Sequence, residues 1–312
     1  MTAIEHLSRS PTTNTSEQDS LPLFSVSGST TQSQKVINVA SVKHRSPFRY
    51  PGGKTWLVPV VRKWLGSFQK PISSFVEPFA GGGIVSLSAL FDGYTDAVIL
   101  IEKDSNVGAV WQVIASGDGP ELAEQIVKFD VTEENVRDLL SKTFAPDDVL
   151  GRSLATIVRN RVQRGGIMAP GAGLVRNGEN GRGLKSRWYP ETLRNRLLDL
   201  HAQHSSIIFH SGDGIGFISQ NAKDKDLVWF IDPPYTLAGR RLYVHSDLDH
   251  EVLFAETAQL VGPFLMTYDD TDDIRDLART HGFQIAQVPM KNTHHVVMNE
   301  LLISRSLDWF TR

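Results

Sequence analysis

Four consecutive residues, Asp232-Pro233-Pro234-Tyr235, stand directly after the apolar run Val228-Trp229-Phe230-Ile231. Neither proline can donate a ladder hydrogen bond, so the pair ends a strand and fixes a rigid turn. Such a turn presents a carboxylate that accepts hydrogen bonds and a flat aromatic ring, both with little freedom. An acid, two prolines and an aromatic in this order are far more specific than a plain strand-ending turn requires.

A second candidate bed is Phe79-Ala80-Gly81-Gly82-Gly83, where absent side chains let a ligand approach the backbone. Gly81 and Gly83 keep the first spacing of a dinucleotide fingerprint, but position 86 is serine, so the loop reads equally well as structural. Glu102 closes the apolar run Val98-Ile99-Leu100-Ile101, where an acid in such folds hydrogen-bonds a ribose. Asp104 competes for that role and reads equally well as the cap of a helix beginning near Val107.

These residues need a sheet edge to hold them. The pattern predicts a helix through Leu57, Val60, Val61, Trp64 and Leu65, a strand over 73–77, a tight loop over 80–83 and a helix over 84–91. It then predicts a strand over 97–101, a helix over 107–114, and strands over 227–231 and 264–268, the last followed by a helix that Asp270 caps. Residues 283–288 and 300–304 form a closing antiparallel pair. Strand, glycine loop, helix, strand is the start of a doubly wound α/β sheet of the Rossmann kind. Residues 1–44, rich in Ser, Thr and Gln, are expected to be a disordered tail.

The stretch from Phe129 to His204 breaks the alternation. It is helical at both ends, and its middle, 165–185, is rich in glycine like a mobile loop. From Arg152 to Arg196 ten basic residues face only Glu179 and Glu191, although the whole chain of 312 residues carries a formal charge of -3. A basic, glycine-rich insertion flanked by helices is a candidate for touching nucleic acid, and an ordinary solvated surface is the equal alternative. The candidate contacts are Arg159, Arg161, Arg164, Arg176, Arg182, Lys185 and Arg187. With 40% apolar residues the chain can bury a substantial core, and no apolar run is long enough to span a membrane. The absence of cysteine removes disulfides, thiolate metal sites and the thiol nucleophile that methylation of a cytosine ring carbon requires. A cytoplasmic enzyme, monomeric by preference, is the expectation.

Taken together, Arg49-Tyr50-Pro51-Gly52-Gly53-Lys54, Val76 to Gly83, Ile99 to Glu102 and Asp232 to Tyr235 resemble, in the same order, the motifs of the Dam-like DNA adenine methyltransferases. Thr267-Tyr268-Asp269-Asp270 and Asn299-Glu300-Leu301-Leu302 are similar to their later sheet segments. The resemblance implies a methyltransferase domain over 45–128 and 205–312, a target-recognition insertion over 129–204, and S-adenosylmethionine as cofactor. Tyr50 and Lys54 would help to hold that cofactor, Lys54 near its carboxylate or supporting the adjacent loops. Glu77, Phe79, Gly81 and Gly83 would line its bed, Glu102 or Asp104 would bind the ribose, and Asp232 would border it. Asp213, in His210-Ser211-Gly212-Asp213, would lie near the cofactor adenine, with ordinary loop use an equal reading.

The resemblance further implies that Asp232, with a backbone carbonyl of the Pro233-Pro234 turn, accepts the two hydrogens of an adenine amine, while Tyr235 stacks on the flipped base. No metal is required. Double-stranded DNA is the expected substrate, and a companion restriction endonuclease is a candidate partner. Cytosine N4, a protein glutamine amide and an inactive DNA-binding relative are the alternatives.

Overall fold

In a computed structural model of the chain, residues 42–49, 53–166, 168, 173–178, 181–234, 248–291 and 297–311 are described. The strands are β1 (Ile72–Glu77), β2 (Thr95–Glu102), β3 (Ile207–Ser211), β4 (Leu227–Ile231), β5 (Phe264–Asp269), β6 (Gln284–Lys291) and β7 (Val297–Ser304). They form one seven-stranded sheet in the order β3-β2-β1-β4-β5-β7-β6. The first five run parallel, while β7 pairs antiparallel with both β5 and β6. The chain winds one way from β1 to β3 and the other way from β4, so the topological switch lies between β1 and β4, where a doubly wound sheet opens a crevice for ligands.

Central parallel strands are covered on both faces and read as continuous apolar runs. In β4 all five residues are buried. Val228 and Phe230 join one core cluster, with Phe75, Leu100 and Trp111, while Leu227, Trp229 and Ile231 join the other, with Val76, Ile101 and Met266. Helices α1 (Val58–Leu65), α2 (Ile84–Phe91) and α3 (Ser105–Ser116) cover the first face. Helices α8 (Gly214–Asn221), α9 (His250–Gln259) and α10 (Asp272–Thr280) cover the second.

Between β2 and β3 come α4 (Gly119–Lys128), α5 (Glu133–Ser141), α6 (Val149–Val162) and α7 (Pro190–His201). Here α6 packs along α3, and α7 along α4. Ile157, Val158, Leu193 and Leu197 lie in the same cluster as Val110 and Trp111, so 129–204 shares the core of the sheet rather than building its own. Of the tail expected over 1–44, only 42–44 are described, and Val42 is buried.

One strand lies beyond the expected elements, and one local expectation is corrected. Ile207–Ser211 is a strand the apolar pattern does not announce, because β3 is an edge strand whose Ile208 is exposed. The cap of α10 is Thr271, whose side chain accepts from the Ile274 amide, while Asp270 forms a two-point ion pair with Arg275 at 2.6 and 2.9 Å.

Candidate active site

The carboxyl ends of the parallel strands gather the acids singled out above: Glu77 ends β1, Glu102 ends β2, Asp232 follows β4 and Asp269 ends β5. Asp232 is held from two sides. Thr267 on β5 donates its hydroxyl to Asp232 Oδ1 at 2.8 Å, and Lys54 Nζ lies 3.1 Å from the same oxygen. The lysine is buried at 5% exposure and also donates to Glu300 Oε1 at 2.8 Å. Burial by itself would lower the Lys54 ammonium, but Asp232 and Glu300 outweigh it and raise it above the ordinary lysine range, so the charge persists at neutral pH. Burial likewise raises Asp269, opposed by Lys54 and reinforced by Asp232. Beside them the buried Tyr268 hydroxyl lies 2.8 Å from His250 Nδ1.

The β1 loop is built around Glu102. Gly81 N–H donates to Glu102 Oε2 at 2.9 Å, and Asp104 N–H to Oε1 at 2.8 Å. A carboxylate has about four acceptor positions, so these bonds orient the group while leaving capacity for a vicinal diol. Burial pushes its pKa up to about 7, against these backbone bonds. Gly81 carries φ 46°, a left-handed conformation that glycine adopts without strain. A β-carbon on Gly83 would meet the Trp111 ring at 2.8 Å, so this glycine serves packing onto α3. Glu77 is buried, accepts from Ser86 N–H at 3.2 Å, and is pushed by burial up to about 8. Phe79 packs against the second core cluster.

Several candidates have local work that the sequence left open. Asp104 caps α3 by accepting from Asn106 N–H at 2.8 Å, and Asp213 caps α8 by accepting from Gly216 N–H at 2.9 Å. Lys54, expected near the cofactor carboxylate or supporting the adjacent loops, gives its ammonium to Asp232 and Glu300. Pro233 and Pro234 end β4 as expected. Tyr50 and Tyr235 lie outside the described residues.

Among the basic candidates, Arg161 is corrected. It is 4% exposed, donates to the Pro47 carbonyl at 2.6 Å, and burial with Arg196 and Arg49 nearby lowers its pKa to about 9. A guanidinium enclosed in this way does not present itself to phosphate. Arg164, Arg176, Arg182 and Lys185 instead line an open cleft of about 1450 Å³ between α5 and residues 163–164, 173–176 and 182–185, with Arg137 on the facing wall. Lys185 pairs there with Asp130 at 3.0 Å. Arg159 and Arg187 are half-buried and do not line it.

Four contributing residues escaped the sequence reading. Glu300 and Thr267 were visible only as parts of sheet segments, although an acid opening the buried run Leu301-Leu302-Ile303 is a signal in itself. Asn160 is fully buried on α6 and holds the Arg49 backbone by both its amide and its carbonyl, at 2.8 and 3.0 Å. The polar stripe Ser153, Thr156, Asn160 on the inner face of that helix marks it. Gly214 brings α8 so close to the β1 loop that a β-carbon would lie 2.2 Å from the Pro78 carbonyl oxygen.

A bed of left-handed glycine and a strand-end acid lies on one side of the switch, with an acid and two prolines on the other. Residues 50–106 match the family model of the D12 class N6 adenine-specific DNA methyltransferases. That segment contains Lys54, the glycine loop and Glu102, so the resemblance read from the motifs is borne out there; Asp232 lies beyond it. The fold is a doubly wound, Rossmann-like α/β fold, with β7 inserted antiparallel between β5 and β6.

Among solved structures, the rRNA methyltransferase aviRa from Streptomyces viridochromogenes is similar at 12% identity and TM-score 0.38, over 84% of this chain and 88% of that one. A precorrin-6y C5,15-methyltransferase from Geobacter metallireducens is similar at 10% identity and TM-score 0.35, over 78% and 85%. The tRNA methyltransferase TrmK of B. subtilis is similar at 9% identity and TM-score 0.35, over 80% and 66%. At these values none of them bears on what this chain acts on. No curated protein matches the sequence. Among the described residues no helix is long and apolar enough to cross a membrane.

Proposed function

We propose that the chain transfers a methyl group from S-adenosylmethionine to the N6 amine of adenine in DNA. The observation that carries this reading is Asp232, fixed by Lys54 and Thr267 at the carboxyl end of β4, across the switch from the Gly81–Glu102 bed. The residues fit the cofactor: Glu102 can accept from its ribose hydroxyls, and Gly81 keeps the loop free of side chain where a ligand meets backbone. When bound, S-adenosylmethionine supplies a methyl group on a positively charged sulfur.

The protein's own part is electronic and positional. The lone pair of an adenine amine is delocalised into the ring, and acceptors aimed at its two hydrogens return electron density to nitrogen. Asp232 accepts one hydrogen and a carbonyl of the Pro233-Pro234 turn the other, preorganised where positive charge develops. A target base in a duplex is flipped out to reach them, and Tyr235 offers it a stacking surface. The cleft lined by Arg164, Arg176 and Arg182 supports a polyanionic substrate, with phosphate contacts fixing register rather than sequence.

Purified protein, labelled cofactor and unmethylated duplex DNA, followed by nucleoside analysis, test the reading. Label is expected in N6-methyladenine; label confined to cytosine or to protein overturns it. Asp232→Ala is expected to keep DNA binding while losing roughly a hundred- to thousandfold in kcat.

A further inference from the structure

The buried charges behind Asp232 do more than hold it in place. Lys54 touches two carboxylates, Asp232 at 3.1 Å and Glu300 at 2.8 Å, and both Lys54 and Glu300 are nearly excluded from water. In so dry a place charge is less screened than in water, and an ammonium acts more strongly on its neighbours. Alone beside Asp232, Lys54 would draw electron density from the carboxylate that must accept an amine hydrogen. It would also repel the positive charge that develops on the amine nitrogen. Glu300 meets the same ammonium and divides its pull.

Resting on the adenine-amine reading above, we propose that Glu300 is a positioning and charge-balancing residue: its carboxylate offsets Lys54, so that Asp232 is oriented by the lysine without losing strength as an acceptor. Glu300 touches neither substrate nor cofactor in this account and acts on Asp232 through Lys54. The sheet makes the arrangement possible. Because β7 runs antiparallel, residues near its start lie at the carboxyl edge of the parallel strands, and Glu300 pairs in register with Asp269 at the end of β5.

The experiment is a set of four full-length proteins, wild type, Glu300→Gln, Lys54→Met and the double variant, assayed with labelled cofactor on plasmid DNA lacking adenine methylation. Cofactor and DNA affinities are measured separately. Glu300→Gln is expected to lower kcat about 10- to 100-fold, the range seen when a group orienting another is removed, with little change in KM for DNA or in cofactor Kd. Glu300→Asp, which keeps the charge, is expected to restore most of the loss.

In the Lys54→Met background, removing Glu300 is expected to change kcat no further. That comparison also decides the matter if Glu300→Gln alone fails to fold: a double variant clearly slower than Lys54→Met overturns the inference. So does a Glu300→Gln protein with wild-type kcat, or one whose loss lies wholly in affinity. Wild type that labels no DNA adenine overturns the functional reading and this inference with it; wild-type transfer that Glu300→Gln leaves intact overturns this inference alone.

Discussion

Two carboxyls, the buried Glu77 and the half-buried Glu102, differ in what their raised pKa values mean. Glu102, pushed by burial up to about 7, is proposed to meet the ribose of the cofactor, whose hydroxyl donors would favour its ionised form. Cofactor binding should therefore tighten as pH rises through about 7 and release a proton below it. Calorimetry in buffers of differing ionisation enthalpy checks this, and Glu102→Gln should abolish the pH dependence. Glu77, raised by burial from 4.5 to about 8, is protonated in the folded protein at neutral pH and ionised in the unfolded chain. Its contribution to stability is thus complete below about pH 4.5 and is lost as pH rises towards 8, on the order of a few kcal/mol. Urea midpoints measured from pH 5 to 8 should fall less for Glu77→Gln than for wild type. At this scale Asp232 and Glu102 were legible because type and place coincide, an acid ending an apolar run. Glu300 was not, because its meaning depends on Lys54, 246 positions away.

Among the elements, the central strands were readable from continuous apolar runs, and their helices from period and caps. What the sequence hid were contacts that only assembly creates. Asp270 looks like a cap until Arg275 claims it, and β3 escapes the apolar pattern because an edge strand does not need two apolar faces. Gly214 and Gly216 both sit in the first turn of α8, yet only the first is closed in by the β1 loop. Gly214→Ala would set a β-carbon 2.2 Å from the Pro78 oxygen, whereas one on Gly216 meets nothing nearer than Asp213 Oδ2 at 3.6 Å. Gly214→Ala is expected to cost about 1–3 kcal/mol by overpacking and to weaken cofactor binding. Gly216→Ala should raise stability by up to about 1 kcal/mol through helix propensity. Thermal melts of the two variants side by side check this.

For the molecule as a whole, the basic stretch divides into two uses. Arg161 and Arg196 reach back to the carbonyls of Pro47 and Ser46 and clamp the segment leading to the Tyr50 motif. Arg164, Arg176 and Arg182 remain exposed along the cleft. Charge counting treated all of these alike, since burial is not written in composition. If three to five cleft side chains meet phosphates, the slope of log K against log salt should lie between about -2.7 and -4.5. Arg176→Ala and Arg182→Ala should each make it shallower by about 0.9. Arg161→Ala is expected to lower the melting temperature and leave the slope unchanged; filter binding across a salt series separates the two groups.

The antiparallel strand has a consequence in time as well as in space. Lys54 is made early and its partner Glu300 late, so a chain still being translated carries a lysine whose burial has no second counter-charge to offset it. Helices α1 to α3 and strands β1 and β2 can meet beforehand, but the reaction centre cannot close until synthesis has passed residue 300. The pairing thereby ties the site to synthesis of β7: a product stopped short of it lacks the hairpin strand and the carboxylate that meets Lys54.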